Sequence, residues 1–188
     1  IGAISLQAGE TVTCVFTNTQ KSNIVIVKDV VGNPDPTDFT FTNNFGNNNP
    51  VSFMLDEDAN GDLPSSRNFE VISGTYAVSE TQLPHWQMES ATCDQGETVE
   101  SIDVAPGETV TCTFINEELI KITLIKNTVG GDGAFDFTMT GATLAPTAQL
   151  TTVAGTQTQV FEDIDQDNTY TITETVPAGW VLTSATCT

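Results

Sequence analysis

The sequence predicts an all-β protein made of two tandem Greek-key sandwiches of seven strands each, the second of them completed by a donated strand. Nearly every segment alternates apolar and polar residues in short runs rich in Thr, Val, Ile and Phe, with Gly, Asn, Asp and Pro between the runs. An internal repeat divides the 188 residues into two units. One strand of that repeat stands at the beginning of the chain, apart from the unit it would complete, and this position predicts the donation.

The alternating runs give seven strands in the first unit and six in the second. Those of the first unit are expected near residues 23–30, 38–43, 51–55, 67–72, 75–81, 86–93 and 108–117. Those of the second unit are expected near residues 120–129, 135–141, 148–153, 158–162, 169–175 and 180–187. Seven short antiparallel strands make a Greek-key sandwich, so the second unit is one strand short.

The repeat is visible in four pairs of segments. The first pair is GETVTCVFTN at 9–18 and GETVTCTFIN at 107–116, and the second is DFTFT at 38–42 and DFTMT at 136–140. The third pair is YAVSETQLPHW at 76–86 and YTITETVPAGW at 170–180, and the fourth is SATC at 90–93 and again at 184–187. These matches define three parts of the chain, which are an N-terminal donor strand at 1–20, a first sandwich at 21–118, and a second sandwich at 119–188 that lacks its last strand.

The N-terminal segment has the sequence of a last strand but no preceding domain within this chain. Its alternation places Val12, Cys14 and Phe16 on one face. A sandwich without its last strand exposes an apolar groove and unpaired backbone groups, which such a strand would complement. We expect each copy to complete the second sandwich of the next copy in a head-to-tail filament, because a heterologous contact of this kind does not close. The alternative is that residues 1–188 are a window cut from a longer tandem protein.

Four cysteines and a single histidine indicate disulfides rather than a zinc site, and an oxidising compartment. Cys93 and Cys112 lie at the end of one predicted strand and within the next, so they are expected to pair. By the repeat, the partner of Cys187 is the equivalent of Cys112, which is Cys14. We therefore expect an intermolecular disulfide, with free or locally paired thiols as the alternative.

Strand parity also places three polar residues of each sandwich in its interior. Burial favours the neutral amine of a lysine as a nucleophile, and a protonated carboxyl group can polarise an asparagine carbonyl, so this combination can form an amide cross-link. The first sandwich would use Lys28, Glu80 and Asn116, and the second would use Lys126, Glu174 and the neighbour's Asn18. The alternative is a buried Lys–Glu pair with an asparagine that ends a strand.

The string VxK, then YxxxE followed by a proline and an aromatic residue, then TCTFxN resembles the Cna protein B-type repeats of bacterial and archaeal surface proteins and pilins. These repeats are also described as prealbumin-like or SpaA-type, and the resemblance covers both units. It implies a seven-stranded sandwich and an isopeptide bond between Lys and Asn or Asp, assisted by the Glu of YxxxE, and Lys28, Glu80 and Asn116 match these roles. The cysteine pair departs from the best-known members with an isopeptide bond, so a disulfide could replace that bond.

Charge argues against several classes of partner. The chain has 25 acidic and 5 basic residues and a formal net charge of −20, which repels nucleic acids and anionic lipids.

No apolar run approaches the roughly 20 residues of a membrane-spanning helix, so no membrane insertion is expected. His85 is the only histidine and has no counterpart in the second repeat, so no catalytic constellation and no enzyme activity are expected.

Two acidic turns and the exposed threonines are further candidates for binding or modification. DEDANGD at 56–62 resembles half of a calcium loop, but Arg67 occupies the place of the closing Glu, so an acidic solvated turn is favoured over weak calcium binding. The candidate calcium ligands are Asp56, Asp58, Asn60 and Asp62, and the second acidic turn contains Asp163, Asp165 and Asp167. Outward-facing threonines could accept O-linked sugars, and Trp86 and Trp180 are interpreted as core or interface anchors.

These observations favour a structural subunit of an extracellular or cell-surface filament that needs no cofactor and binds other copies of itself. The second hypothesis is a binding module, a stalk or adhesin segment of a longer tandem-repeat surface protein. An enzyme ranks third.

Overall fold

The computed structural model describes residues 2–32, 36–46, 49–57, 61–166 and 168–187. The strands of the first domain are β1 Ser22–Val30, β2 Phe39–Asn43, β3 Ser52–Leu55, β4 Ser66–Val71, β5 Gly74–Tyr76, β6 Val78–Glu80, β7 Trp86–Cys93, β8 Ile102–Val104 and β9 Thr109–Glu118. Those of the second are β10 Ile120–Asn127, β11 Ala134–Thr140, β12 Thr147–Thr151, β13 Thr156–Ile164 and β14 Thr171–Thr175. The described residues form strands and no helix, so no helix among them could cross a membrane.

The first domain is a sandwich of two main sheets. One has the order β4-β1-β9-β7, the other has the order β3-β2-β6, and β5 and β8 form a separate pair. All neighbouring strands are antiparallel except β1 and β9, which run parallel. This domain has nine strands where seven were predicted, because the run at 75–81 is divided into β5 and β6 and because β8 had not been predicted.

The core of the first domain follows from the alternation of its strands. Every second residue of β1 is buried, and Ile24 and Ile26 are fully covered. The facing sheet contributes Phe41, whose ring stacks on Phe53 at 5.2 Å and meets Phe114 of β9 edge-on at 5.1 Å. Burial of each such side chain stabilises the fold by about 1.5–3 kcal/mol relative to exposure.

The second domain has the same plan with fewer strands. Its sheets are β10-β13 and β12-β11-β14, which correspond to β1-β4 and β3-β2-β6. In the first domain β1 lies between two strands, whereas β10 pairs only with β13 among the described residues. Ile122 and Leu124 of β10 are consequently only half-buried, although their equivalents Ile24 and Ile26 are fully covered.

Two segments that were expected to contain a strand form none in the described structure. Residues 2–20 are exposed along their whole length. Residues 176–187, which include the expected strand at 180–187, have no strand either, although their sequence matches β7. The physical reason is the missing partner, since β7 is held by β9 and no equivalent of β9 pairs with the second domain.

The strand register corrects one part of the sequence comparison. Phe41 of β2 lies opposite Glu80, and Phe137 of β11 lies opposite Glu174. The structural equivalent of Phe41 is therefore Phe137 and not Met139, which the DFTFT and DFTMT match suggested. A shift of two residues keeps every side chain on the same face of the sheet, so the prediction of the core is unaffected.

The two domains are joined directly, because β9 ends at Glu118 and β10 begins at Ile120. The backbone N–H of Leu119, between them, donates a hydrogen bond of 2.8 Å to the carbonyl of His85. The imidazole Nδ1 of His85 is hydrogen-bonded to the Asp163 carboxylate of the second domain at 2.9 Å. Asp163, which was expected in the second acidic turn, lies instead near the end of β13 and contributes to the domain junction.

Candidate functional site

A buried lysine occupies the middle of the first sandwich. Lys28 is only 1% exposed because its position in β1 faces inward with Ile24 and Ile26. Its Nζ donates a hydrogen bond of 3.2 Å to Oδ1 of Asn116 and lies 4.0 Å from the centre of the Phe39 ring. Strand parity thus correctly predicted that an amine and an amide would meet in the core.

Asn116 connects this lysine to a carboxyl group on the other sheet. It is fully buried on β9, and its Nδ2 donates a hydrogen bond of 2.5 Å to Oε1 of Glu80 on β6. The structure therefore brings together Lys28, Asn116 and Glu80, as the sequence predicted. The contact differs in one respect, because Glu80 binds the amide nitrogen of Asn116 and not the carbonyl oxygen that it was expected to polarise.

Burial changes the protonation of both ionisable members of this site. Desolvation lowers the pKa of Lys28 to about 8, against the opposing charges of Glu80, Asp29 and Glu57. Desolvation also raises the pKa of Glu80, partly offset by its hydrogen bond with Asn116 and by the charge of Lys28. Both shifts favour the neutral forms, the amine and the carboxylic acid.

This arrangement has the parts needed for an amide exchange. The neutral Nζ of Lys28 can attack Cγ of Asn116, with formation of a new C–N bond. The old bond from Cγ to Nδ2 breaks, and Nδ2 leaves as ammonia. Glu80, hydrogen-bonded to Nδ2, is in position to protonate this leaving group. The proton that Nζ releases replaces the one that Glu80 gives up, so the carboxyl group is unchanged at the end.

The second domain has two of the three members. Nζ of Lys126 contacts Oε1 of Glu174 at 2.6 Å and lies 4.1 Å from the centre of the Phe135 ring, as Lys28 lies over Phe39. The structure does not bring Asn18 to this pair within one chain. Asn18 lies in the exposed N-terminal segment, and the described residues show no hydrogen bond from it to Lys126 or Glu174.

A family model described as a prealbumin-like fold domain matches residues 24–118 and 122–188. The chain belongs to this prealbumin-like family. Both domains are included in the match, so the repeat derived from the sequence and the two sandwiches of the structure are two copies of one family domain.

Several solved structures resemble the chain weakly. They include the TIE protein of Bacillus anthracis (19% identity, TM-score 0.38, 88% of this chain and 31% of that one) and a streptococcal ancillary pilin (17%, 0.38, 89% and 58%). Another is the major pilin T-13 of Streptococcus pyogenes (16%, 0.32, 87% and 85%). The chain thus spans less than two thirds of the first two proteins, and no curated protein matches it significantly. The chain is assigned to its family by the family model, which matches both domains.

The cysteines of the first prealbumin-like domain form the expected bond. Cys93 and Cys112 lie opposite each other on β7 and β9 and are joined by a disulfide. Cys14 and Cys187 are exposed and unpaired within the single chain. Their expected pairing is between two copies and therefore stays a prediction.

The structure describes only two of the four candidate calcium ligands. Asp56 is fully buried at the end of β3 and Asp62 is exposed, whereas Asp58 and Asn60 lie outside the described residues, as does Asp167 of the second acidic turn. Among the described residues no group of three or more His, Cys, Asp or Glu side chains is arranged to hold a metal ion.

Two aromatic pairs show what the tryptophans do and what sequence reasoning missed. Trp86 meets Phe39 edge-on at 5.0 Å, and Trp180 meets Phe135 in the same way at 5.2 Å. Trp86 is thus buried in the core of the first domain, and Trp180 is partly buried and packs against the core of the second. Phe39 and Phe135 also cover the two lysines, a role not predicted, although their inward parity was a signal for it.

The open edge of β10 is the most distinctive feature of the second prealbumin-like domain. In the first domain the same edge of β1 is occupied by β9 over eight aligned residue pairs. On this strand Ile122 and Leu124 are only half-buried, whereas their equivalents Ile24 and Ile26 are fully covered. Among the described residues the domain therefore presents an unpaired strand edge beside incompletely covered apolar side chains, which we call the acceptor groove.

Proposed function

We propose that the chain is a structural subunit of an extracellular filament, in which the second prealbumin-like domain is completed by residues 11–20 of another copy. The observation that carries this proposal is the open edge of β10. Its counterpart β1 binds β9 on that edge, and residues 9–18 repeat most of the sequence of β9 and the turn before it. Strand addition of this kind satisfies the backbone groups and covers the groove in one step.

The first domain predicts the register of the joint. Its β1 residues Ile24, Ile26, Lys28 and Val30 lie opposite Val110, Cys112, Phe114 and Asn116. Transferred through the repeat, the donated Val12, Cys14, Phe16 and Asn18 lie opposite Ile122, Leu124, Lys126 and Thr128. The donor side chains that now project into solvent would then fill the groove, since Val12 and Phe16 are 48% and 70% exposed in the single chain.

Two covalent bonds would lock this joint. In the first domain the register places Cys93 opposite Cys112, so the donated Cys14 would meet Cys187. The same transfer brings Asn18 to the pair of Lys126 and Glu174, and supplies the missing amide. The only chemistry that we assign to the protein is therefore directed at itself.

Non-reducing and reducing electrophoresis of the full chain tests the polymer. We expect a ladder of oligomers without reductant, and amide-bonded oligomers that persist with reductant. A variant without residues 1–18 keeps the acceptor groove but has no donor strand, so it should give no ladder alone and should shorten the oligomers when mixed with the full chain. A monomer band under all conditions would refute the proposal, as would an intact ladder from the truncated variant.

The amide bond of the first domain has an independent test. In an Asn18→Ala background, which cannot form the amide bond between copies, the intact mass of the unfolded and reduced chain should be lower by one ammonia, and Lys28→Ala should restore the unreacted mass of that variant. Lys121, which is exposed at the start of β10, provides the matched control, and Lys121→Ala should still lose ammonia. A full-length mass without loss of ammonia would leave only the hydrogen-bonded arrangement and would contradict the bond.

The second candidate is a stalk or adhesin module of a longer surface protein. The observation that favours it is the path of β9, which completes its own domain and leads directly into the next domain. A longer chain with a further copy of this strand would complete the second domain within the same molecule. A chain extended by a copy of residues 107–118 after Thr188 should then be monomeric, whereas further growth into oligomers would favour the filament.

A further proposal concerns O-glycosylation of threonines on the second domain. Thr138, Thr147 and Thr173 lie side by side on the exposed face of the sheet formed by β11, β12 and β14. We propose this face as the acceptor of O-linked sugars. Mass mapping of peptides from protein made in its native host tests it, and unmodified peptides from all three strands would refute it.

Weak calcium binding at the turn of Asp56 and Asp62 also remains a proposal. Thermal unfolding in millimolar calcium or magnesium should show a selective rise in melting temperature with calcium. An equal effect of both cations would indicate only general screening of the acidic charge.

A further inference from the structure

The hydrogen bond between His85 and Asp163 joins two residues whose backbones are both left-handed. Their φ angles are 64° and 54°, and among the described non-glycine residues only Ala154 also has a positive φ. This conformation is unfavourable for a residue with a side chain, so it persists where other contacts hold it. Two of the three such residues meet across the domain junction, at 2.9 Å between the imidazole and the carboxylate.

The repeat shows that the turn before Trp86 does not require a histidine. Gly179 occupies the equivalent position before Trp180, with a φ of 85°. Both turns have the same hydrogen bond, from the tryptophan N–H to the carbonyl three residues earlier. Glycine is the residue that this conformation favours. The contact of the His85 imidazole with Asp163, and not the turn itself, therefore explains why a histidine stands in the first domain.

Asp163 lies in a β-bulge that the first domain lacks. Between the pairs Ile122–Phe161 and Ile120–Ile164, the ladder advances by two residues on β10 and by three on β13. The corresponding ladder of β1 and β4 has no such shift. A bulge bends its strand and changes the direction of a side chain, and here the carboxylate meets His85. Each member of the pair is thus a departure from the repeat.

The other titratable groups of the junction are mostly acidic. Glu117 of β9 is only 8% exposed, and desolvation, the hydrogen bond and charge of Glu89, and the charge of Asp165 raise its pKa. The part due to Asp165 comes from the second domain, so protonation of Glu117 as the pH falls relieves a repulsion across the junction. The remaining charged residues are Glu118, opposite Trp86, and Glu162 and Lys121, on the two strands of the bulge.

We propose that His85 and Asp163 form a latch that holds the two domains of one chain in a fixed orientation and tightens as the pH falls. Histidine gains a positive charge between about pH 8 and about pH 5, where carboxylates ordinarily stay ionised, so the hydrogen bond becomes an ion pair. Both side chains are more than half exposed, at 60% and 58%. The ratio of closed to open orientations should therefore change only moderately, by about 1.5-fold to about fivefold.

The joint between copies would lack this latch, a consequence that rests on the proposed function. At the joint the acceptor domain presents Gly179 in place of His85. The first domain of the donor presents β4, which has no bulge and no equivalent of Asp163. We therefore expect a filament that is stiff within each copy and bends at the joints.

Distances between spin labels on the two domains of the full chain test the latch. Thr92→Cys on β7 and Thr158→Cys on β13 provide one exposed label site in each domain. Cys14→Ser and Cys187→Ser leave no other free thiol. The labelled chain is diluted in an excess of unlabelled chain, so that the distances recorded are those within one chain. We expect a narrower distance distribution at about pH 5 than at about pH 8.

Two conservative substitutions remove one partner each. His85→Asn and Asp163→Asn remove the charge but keep a residue that tolerates the left-handed conformation. Each should broaden the distribution at about pH 5, and the double variant should be no broader than either single variant. Ala154→Gly relaxes the third left-handed residue, which lies at the other end of β13, and should change nothing. Unchanged widths in the single variants, or additive effects in the double variant, would overturn the proposal.

Glu117→Gln separates the effect of the carboxyl groups from that of the histidine. If His85→Asn keeps the pH dependence and Glu117→Gln loses it, the response belongs to the carboxyl groups and the role of His85 is overturned. These measurements concern one chain and do not depend on strand donation, so the absence of filaments would refute the proposed function and leave the latch intact. In filaments, equal bending within copies and at joints would overturn the expectation for the joint.

Discussion

Phe16 should be the main anchor of the joint between copies, so Phe16→Ala should strongly weaken self-association. Its equivalent in the first domain, Phe114, is 1% exposed and meets Phe41 at 5.1 Å between ring centres. In the single chain Phe16 is 70% exposed. Its truncation therefore has little to remove from the free subunit, and nearly the whole effect should appear in association.

The size of the effect follows from the burial of Phe114. Truncation of a buried Phe to Ala typically costs about 3–5 kcal/mol. Each factor of ten in a dissociation constant corresponds to about 1.4 kcal/mol, so the dissociation constant should rise by about 100-fold to about 4,000-fold.

Sedimentation equilibrium under reducing conditions, in an Asn18→Ala background that cannot form the amide bond, would measure this change. Val15 is the matched control, because it is 81% exposed and lies on the other face of the donor strand. Val15→Ala should change the dissociation constant by less than about tenfold, the effect expected of a surface substitution. Equal effects of the two substitutions would refute the assignment of strand faces at the joint.

The rate of ammonia loss from the first domain should depend on pH, since the reaction needs the neutral amine of Lys28 and the protonated acid of Glu80. We expect this rate to be highest, and nearly constant, at pH values between the raised pKa of Glu80 and the pKa of Lys28, which is about 8. Mass spectrometry after refolding at different pH values measures it, and a rate that still rises well above pH 8 would contradict the role of Glu80. Cys112→Ala should lower the free energy of unfolding of the first domain by about 3 kcal/mol in urea titrations, because the disulfide closes a loop of 19 residues. Cys14→Ala should leave that free energy unchanged, and an equal loss from both substitutions would show that the thiol and not the bond matters.

Strand parity was the most reliable guide to the site. The alternation of β1, and of β9 as far as Asn116, correctly placed Lys28 and Asn116 in the core, since a strand of known register leaves no other face for them. Parity does not give the rotation of a side chain, so the contact of Glu80 with the amide nitrogen of Asn116 was not predicted. That detail depends on the distance between the two sheets, which the sequence does not contain.

Two strand predictions were wrong because whether a segment forms a strand depends on the strands that pair with it. The segment at 180–187 shares its alternation and its SATC sequence with β7. It forms no strand because β7 is paired with β9 along its length, whereas no strand among the described residues pairs with 180–187. β8 escaped prediction because three residues, Ile102–Val104, are too few for a periodic pattern, and only the pairing with β5 makes them a strand. Propensity describes a segment, whereas a strand also needs a neighbour.

The DFTFT and DFTMT segments illustrate a limit of comparing sequences by identity. The match between these five-residue segments aligned Phe41 with Met139. The pairing of Phe41 with Glu80 and of Phe137 with Glu174 shifts this alignment by two residues. The error did not affect the predicted core because it preserved parity. It did hide the equivalence of Phe39 and Phe135, the two rings that cover the lysines.

The central claim, that the strand of one copy completes the second domain of another, is tested most directly by mapping the cross-links in oligomers grown from a mixture of ¹⁴N-labelled and ¹⁵N-labelled chains. After digestion without reductant, we expect a disulfide-linked peptide pair that contains Cys14 and Cys187. If the two labels are mixed in equal amounts, about half of these pairs should carry one light and one heavy member, as random mixing of chains requires. Pairs of Cys14 and Cys187 from a single label only, or the absence of this pair from the oligomers, would contradict it.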